Sequence, residues 1–157
     1  MSKAVTPTTP AVAASNWPRT IIIVFIAIGI GITAYLTYVK ITAAPTVCVE
    51  GGAFNCDVVQ NSSYAKLMGI PVAYLGLATY LALAALVLLE KRISILRDYG
   101  AMLFFGVALF AFLFSVWLVY VQVFRLEALC IWCLGHEISI TVIFLMALIR
   151  LRRALSE

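Results

Sequence analysis

The chemistry in this chain rests on sulfur. Four cysteines occur in 157 residues, and they fall into two pairs. Cys130 and Cys133 stand three apart in Cys130-Ile131-Trp132-Cys133, where a short polar connection, Arg125 to Glu127, gives way to a long apolar run. That spacing places both thiols on one face of a helix, about one turn apart, so they can close a disulfide and open it again. A helix start also sits at the positive end of the backbone dipole, which favours a thiolate. Cys48 and Cys56 lie in a polar stretch with Gly51 and Gly52 between them. The glycines supply a turn that lets two thiols meet. Four cysteines allow three pairings, and exchange chemistry visits more than one, because a thiolate attacks a disulfide and passes it on through a mixed intermediate. His136 and Glu137 follow Cys133 by three and four residues, one turn deeper on nearly the same face.

Other uses of these residues are weaker. Cys130, Cys133 and His136 could form part of a zinc site, but no fourth ligand lies nearby in sequence. Haem attachment needs a histidine directly after the second cysteine, and Leu134 is there. Cys48 and Cys56 alone would suit a static disulfide pinning a loop. Lipid attachment at Cys48 is disfavoured, because Pro45-Thr46-Val47 lacks the residues such a site needs. His136 and Glu137 could instead pair with neighbours or face a wet crevice, although ionisable groups inside a span are costly and usually functional.

The elements that must position these residues belong to a membrane. Hydrophobic residues make up 64% of the chain and charged ones 11%, and a soluble domain cannot hide that much apolar surface. The expected fold is an all-α integral membrane protein, a four-transmembrane-helix bundle. The spans are expected at Thr20 to Val39, Ile70 to Leu89, Tyr99 to Phe124 and Leu129 to Ile149. Pro71 should sit in the first turn of the second, and Ala27 and Gly31 offer a stripe where a neighbouring helix can come close. Residues 1–17, rich in Thr, Pro, Ala and Ser, read as a disordered tail. Residues 18–150 form the membrane domain, with an outer loop over 40–69, and 151–157 form a second tail. Within the loop, Tyr64 to Met68 could make a short helix against the bilayer.

Charge sets the orientation. Four spans put the N-terminus, the 90–98 connector and the C-terminus on one side, with Lys3, Arg19, Lys91, Arg92, Arg97, Arg150, Arg152 and Arg153. The other side holds Lys40, Lys66 and Arg125. The first side is therefore expected to be cytoplasmic. The cysteines then lie on the outer face of a cell's inner (cytoplasmic) membrane, where disulfides can form. The net charge of +4 is explained by this placement and gives no reason to invoke nucleic acid.

The pattern resembles the vitamin K epoxide reductase family in its bacterial thiol-oxidising branch. The resemblance runs from about Thr20 to Ile149. It rests on the loop pair after the first span, on Cys56-Asp57-Val58-Val59-Gln60-Asn61-Ser62-Ser63, on Gly69-Ile70-Pro71 at the entry to the second span, and on Cys130-Ile131-Trp132-Cys133 at the last. It implies that Cys130 and Cys133 are the active pair beside a bound quinone (menaquinone, ubiquinone or vitamin K type), with Cys133 the nearer. It also implies that Cys56 passes electrons to Cys130, that Cys48 meets an outside partner, and that Ser62 orders the loop at the quinone pocket. Trp132, between the two cysteines, is a further candidate contact, and His136 and Glu137 are the nearest proton carriers. The second span lacks the Asn of the vertebrate enzymes, and Glu137 stands at the position of their Tyr, which favours plain quinone reduction over epoxide reduction. Many bacterial relatives carry a fused thioredoxin-like domain; with none in this sequence, the expected partner is a separate secreted thioredoxin-like oxidase. The competing expectations are a non-enzymatic membrane protein with static disulfides, and a metal carrier using Cys and His.

Overall fold

The computed structural model describes residues 17–49 and 51–156. The proposed disordered tail thus lies outside the described residues except for Trp17, which already belongs to a helix. Four helices are long and apolar enough to cross a membrane. They are α1 (Trp17–Thr42), α3 (Val72–Leu89), α4 (Ser94–Val121) and α5 (Ile131–Ser156). A short helix, α2 (Cys56–Asn61), and a 3₁₀ turn (Ser63–Ala65) fill the outer loop. The long helices form a four-membered ring in which α1 packs on α3 and α5, and α4 packs on the same two.

A bilayer offers no hydrophobic reason for helices to associate, so small residues and close packing decide which faces meet. On α1 the buried face is Ile22, Ile26, Gly29, Thr33, Leu36 and Val39. Gly29 lies against the Tyr80 ring of α3, where an added Cβ would stand 2.1 Å from the ring carbons. Gly76 on α3 answers with an approach to Thr33. Ala27 and Gly31, expected to form the contact stripe, face outward instead, and Gly31 has open space around it. From Ile21 to Ala34 the other faces of α1 are apolar as well, as a lipid-facing surface must be, so hydropathy cannot single out the packed face. The end of the bundle away from the cysteines is tied by Arg150 and Glu90, 2.6 Å apart, and by Arg19 donating to the Val87 carbonyl at 3.2 Å.

The outer loop departs from expectation in one place. Of the short helix expected over Tyr64 to Met68, only Tyr64 and Ala65 are helical, within the 3₁₀ turn. After the 3₁₀ turn the chain makes a small hairpin, β1 (Lys66–Leu67) against β2 (Ile70–Pro71). Met68 and Gly69 both have positive φ, 52° and 87°, the backbone of a two-residue turn that matches strand twist. Pro71 consequently precedes α3 as its N-cap rather than sitting in its first turn.

Candidate redox site

The fold brings the two cysteine pairs together. Cys48 and Cys56 are joined by a disulfide, and Cys130 and Cys133 are free thiols. Cys56 and Cys130 are fully buried in one cluster with Val59 and Ala128, and Cys48, Trp132 and Cys133 pack against it.

Local backbone structure makes this meeting possible. The chain around Gly51 and Gly52 turns back, with Phe54 bridging to Gly51. It then pairs with the segment before Cys130: Asn55 N–H donates to the Leu129 carbonyl at 3.0 Å, and Leu129 N–H to the Ala53 carbonyl at 2.8 Å. Asn55 next caps α2, its side chain accepting from Val58 N–H. Thus one residue fixes both the start of α2, which is Cys56, and its distance from Cys130. On the other side, α4 runs into a π-helical turn, Gln122–Leu126, that ends at Glu127 with φ 47°. This turn buries Gln122, whose side-chain oxygen accepts the Cys130 N–H at 3.1 Å.

Helix α5 starts at Ile131, so Cys130 is not inside it as the spacing alone predicts. Its carbonyl takes the first helical bond, from Leu134 N–H at 3.0 Å, which makes Cys130 the N-cap and puts Cys133 within the first turn. Its thiol is drawn down from the ordinary range to about 6. The Cys133 thiol does most of this as a hydrogen-bond donor; burial opposes it; the backbone N–H of Cys133, the Gln60 amide and the backbone N–H of Trp132 add to it. An anion at a helix N-cap is favoured for the same reason any N-cap acceptor is.

Cys133 faces a cavity of about 510 Å³ between α3 and α4. Small residues open it on the α3 side, Ala73, Ala78 and Ala82, while Phe110 and Phe114 of α4 form an aromatic wall. Gln60, Ser115 and His136 are among the polar side chains that reach the lining. His136 shares a hydrogen bond with the buried Tyr80 hydroxyl, 3.1 Å from its Nδ1. Glu137 accepts from Ser115 and from Thr141. A second, more polar cleft of about 320 Å³ opens beside the loop disulfide, lined by Thr46, Cys48, Asn55, Cys56 and Asp57.

The remaining sequence candidates, Trp132 and Ser62, lie nearby. Trp132 turns toward the loop: its Nε1 donates to the Val47 carbonyl at 2.7 Å and its ring packs on Tyr35, centroids 4.5 Å apart. The Tyr35 hydroxyl accepts Val47 N–H at 3.0 Å, so the two aromatics clamp the residue before Cys48. Ser62 closes α2, its hydroxyl donating to the Val59 carbonyl at 2.8 Å. Neither Trp132 nor Ser62 lines the large cavity. Among the described residues no group of three or more His, Cys, Asp and Glu is placed to hold a metal ion. Sequence reasoning passes over Gln60, Gln122, Tyr35 and Tyr80. Of these, only Gln60 carries a local signal, four residues after Cys56, the spacing of neighbours on one helical face.

Residues 20–148 match the model of the Vitamin K epoxide reductase family. A relative from Arabidopsis thaliana, "Thiol-disulfide oxidoreductase LTO1", is 33% identical over 119 residues. The match covers 72% of this chain and 31% of that protein, so the chain spans about a third of its relative's length.

Proposed function

The chain belongs to the vitamin K epoxide reductase family, and on that premise we propose that it is a membrane thiol–quinone oxidoreductase of the bacterial thiol-oxidising branch. It reoxidises a secreted thioredoxin-like dithiol partner and reduces a quinone, and so drives disulfide formation outside the cytoplasm. The observation that carries this reading is the packing of a loop disulfide and a buried dithiol in one cluster, with the dithiol opening onto an apolar cavity inside the bundle.

The relay is a pair of exchanges. The partner's dithiol first reduces Cys48–Cys56 through the polar cleft beside Cys48. The Cys56 thiolate then attacks Cys130 in the oxidised inner pair. The Cys130–Cys133 bond breaks and Cys133 leaves as thiolate. The Cys48 thiolate next attacks Cys56, and Cys130 leaves in turn. The products are a loop disulfide and an inner dithiol, which is the arrangement of the four sulfurs described above.

The cavity fits a quinone ring by size and lining. It is mostly apolar, has an aromatic wall, and holds a few polar groups at the end where Cys133 lies. Phe110 and Phe114 would hold the ring, with Gln60, Ser115 and His136 at its polar edge. A quinone held there would supply an acceptor for two electrons and two protons. Cys133 is the thiol placed to deliver the electrons, and Cys130 closes the disulfide behind it. His136, fixed by Tyr80, holds a proton at the cavity wall, and Glu137 reaches the same wall through Ser115. The termini and the 90–98 connector lie in the cytoplasm, and both pairs face outward.

Purified protein with a small dithiol and a soluble quinone tests the reading. Quinone reduction that stops with Cys133→Ala is expected. Static disulfides, with no quinone-dependent thiol oxidation, would overturn it.

A further inference from the structure

Helix α2 carries more than Cys56. One turn on, the Gln60 side chain reaches both free thiols, with Nε2 3.6 Å from the Cys133 sulfur and 3.8 Å from the Cys130 sulfur. A carboxamide nitrogen has two N–H donors, one for each sulfur. Gln60 itself is held from behind, because Lys40 at the end of α1 donates to its backbone carbonyl at 2.6 Å and to the Asn61 side chain at 3.2 Å. The N-cap at Asn55 fixes the other end of the helix. The amide is thus anchored at both ends of α2 and aimed at the place where negative charge develops.

We propose that Gln60 is a catalytic residue of the relay: its amide is the shared hydrogen-bond donor to the two thiolates that leave the inner disulfide, Cys133 first and Cys130 second. The inference rests on the thiol-relay reading above and adds to it. In the first exchange the Cys56–Cys130 bond forms, the Cys130–Cys133 bond breaks, and the electron pair goes to Cys133. In the second the Cys48–Cys56 bond forms, the Cys56–Cys130 bond breaks, and the pair goes to Cys130. One donor that serves both sulfurs needs no movement between the steps. Preorganised donors at developing charge lower a barrier because they cost no reorganisation when the charge appears.

Electrostatic competition at the site is limited. Charged or titratable groups on the surrounding elements include Tyr35 and Lys40 on α1, Asp57 on α2, Tyr64 in the 3₁₀ turn, Lys66 in β1, Arg125 and Glu127 before Cys130, and His136 and Glu137 on α5. Of these, Lys40 is engaged with the Gln60 carbonyl, His136 with Tyr80, and Glu137 with Ser115 and Thr141. Stabilising the thiolates has a second consequence. It favours the reduced inner pair, which makes that pair a stronger oxidant toward the loop.

The test uses the full chain in detergent with Gln60→Leu, which removes both donors, and Gln60→Glu, which keeps the shape but replaces the neutral donor with a negatively charged acceptor. Two readouts are followed by mass spectrometry: the pH midpoint of Cys130 alkylation, and the equilibrium of the inner pair with glutathione. Hydrogen bonds to charged groups are worth enough for about a 10-fold effect. Both variants should raise the midpoint and shift the glutathione equilibrium about 10-fold toward the inner disulfide, with the larger shift for Gln60→Glu. Formation of the Cys48–Cys56 disulfide in each variant confirms that the loop has folded. Unchanged midpoints and equilibria in the folded variants would overturn the role of Gln60. Neither readout involves quinone or partner, so a wild-type protein that fails to reduce quinone would refute the proposed function and leave this result separate.

Discussion

Two backbone N–H groups, a neighbouring thiol and one side-chain amide converge on Cys130, and no charged residue is needed to explain its depressed thiol. A group held near 6 is mostly thiolate at neutral pH, whereas an ordinary cysteine, near 8.5, is mostly thiol. Alkylation of Cys130 should therefore stay on a plateau down to about pH 6 and fall about tenfold per unit below it. Rates measured by mass spectrometry on the reduced protein check this; a midpoint in the ordinary thiol range would contradict it. Cys133 and His136 face the cavity, and the geometry separates their roles. Substituting His136→Ala should slow quinone reduction by about 10²–10⁴-fold if it is a general acid, and Glu137→Gln should slow it less, because Glu137 reaches the cavity wall only through Ser115. Turnover with a small dithiol across a pH series measures both. If both changes are silent, protons come from water.

Helix faces carry a different kind of prediction. Adding a methyl group with Gly29→Ala places an atom 2.1 Å from two carbons of the Tyr80 ring, whereas Gly31→Ala adds one in open space. The first should destabilise the protein by about 1–3 kcal/mol through overpacking, and the second should leave it nearly unchanged. Thermal unfolding in detergent followed by circular dichroism distinguishes them; equal effects would place the α1 contact face elsewhere. Likewise Gln122→Leu strands the buried Cys130 N–H, at a cost of about 1–3 kcal/mol. The four spans are legible in the sequence because their length and hydropathy leave no other solution. Their contact faces are not, since a lipid-exposed face is as apolar as a packed one, and Gly29 differs from Gly31 only in what lies opposite. The hairpin after Ala65 is half legible: Gly69 signals a turn, but nothing marks Met68 for a positive φ. The cysteine pairs are legible through spacing. Gln122 and Tyr80 are not, and Gln60 shows only its spacing from Cys56, because their partners are 56 or more residues away, or arrive through a π-helical turn that no local pattern announces.

Across the whole molecule, one end of the bundle is tied by charge and the other gathers all four sulfurs. The basic residues of the proposed cytoplasmic side imply that a membrane-impermeant thiol reagent, after reduction, labels both pairs from outside; labelling from the cytoplasm alone would invert the arrangement. Loop and inner pair also divide the work. Cys56→Ala should preserve quinone reduction by dithiothreitol, which reaches the inner pair unaided, and abolish oxidation of a thioredoxin-like protein. Equal loss of both would mean the loop is no relay. The central claim is the order of electron flow, and rapid quenching tests it most directly. Fully reduced protein is mixed with a soluble quinone, trapped at intervals with an alkylating reagent, and the four cysteines are assigned by mass spectrometry. The relay predicts that the Cys130–Cys133 disulfide forms first, that Cys48–Cys56 follows as the inner pair is re-reduced, and that neither forms in Cys133→Ala. A loop disulfide that appears first, or that forms undiminished without Cys133, would contradict the account.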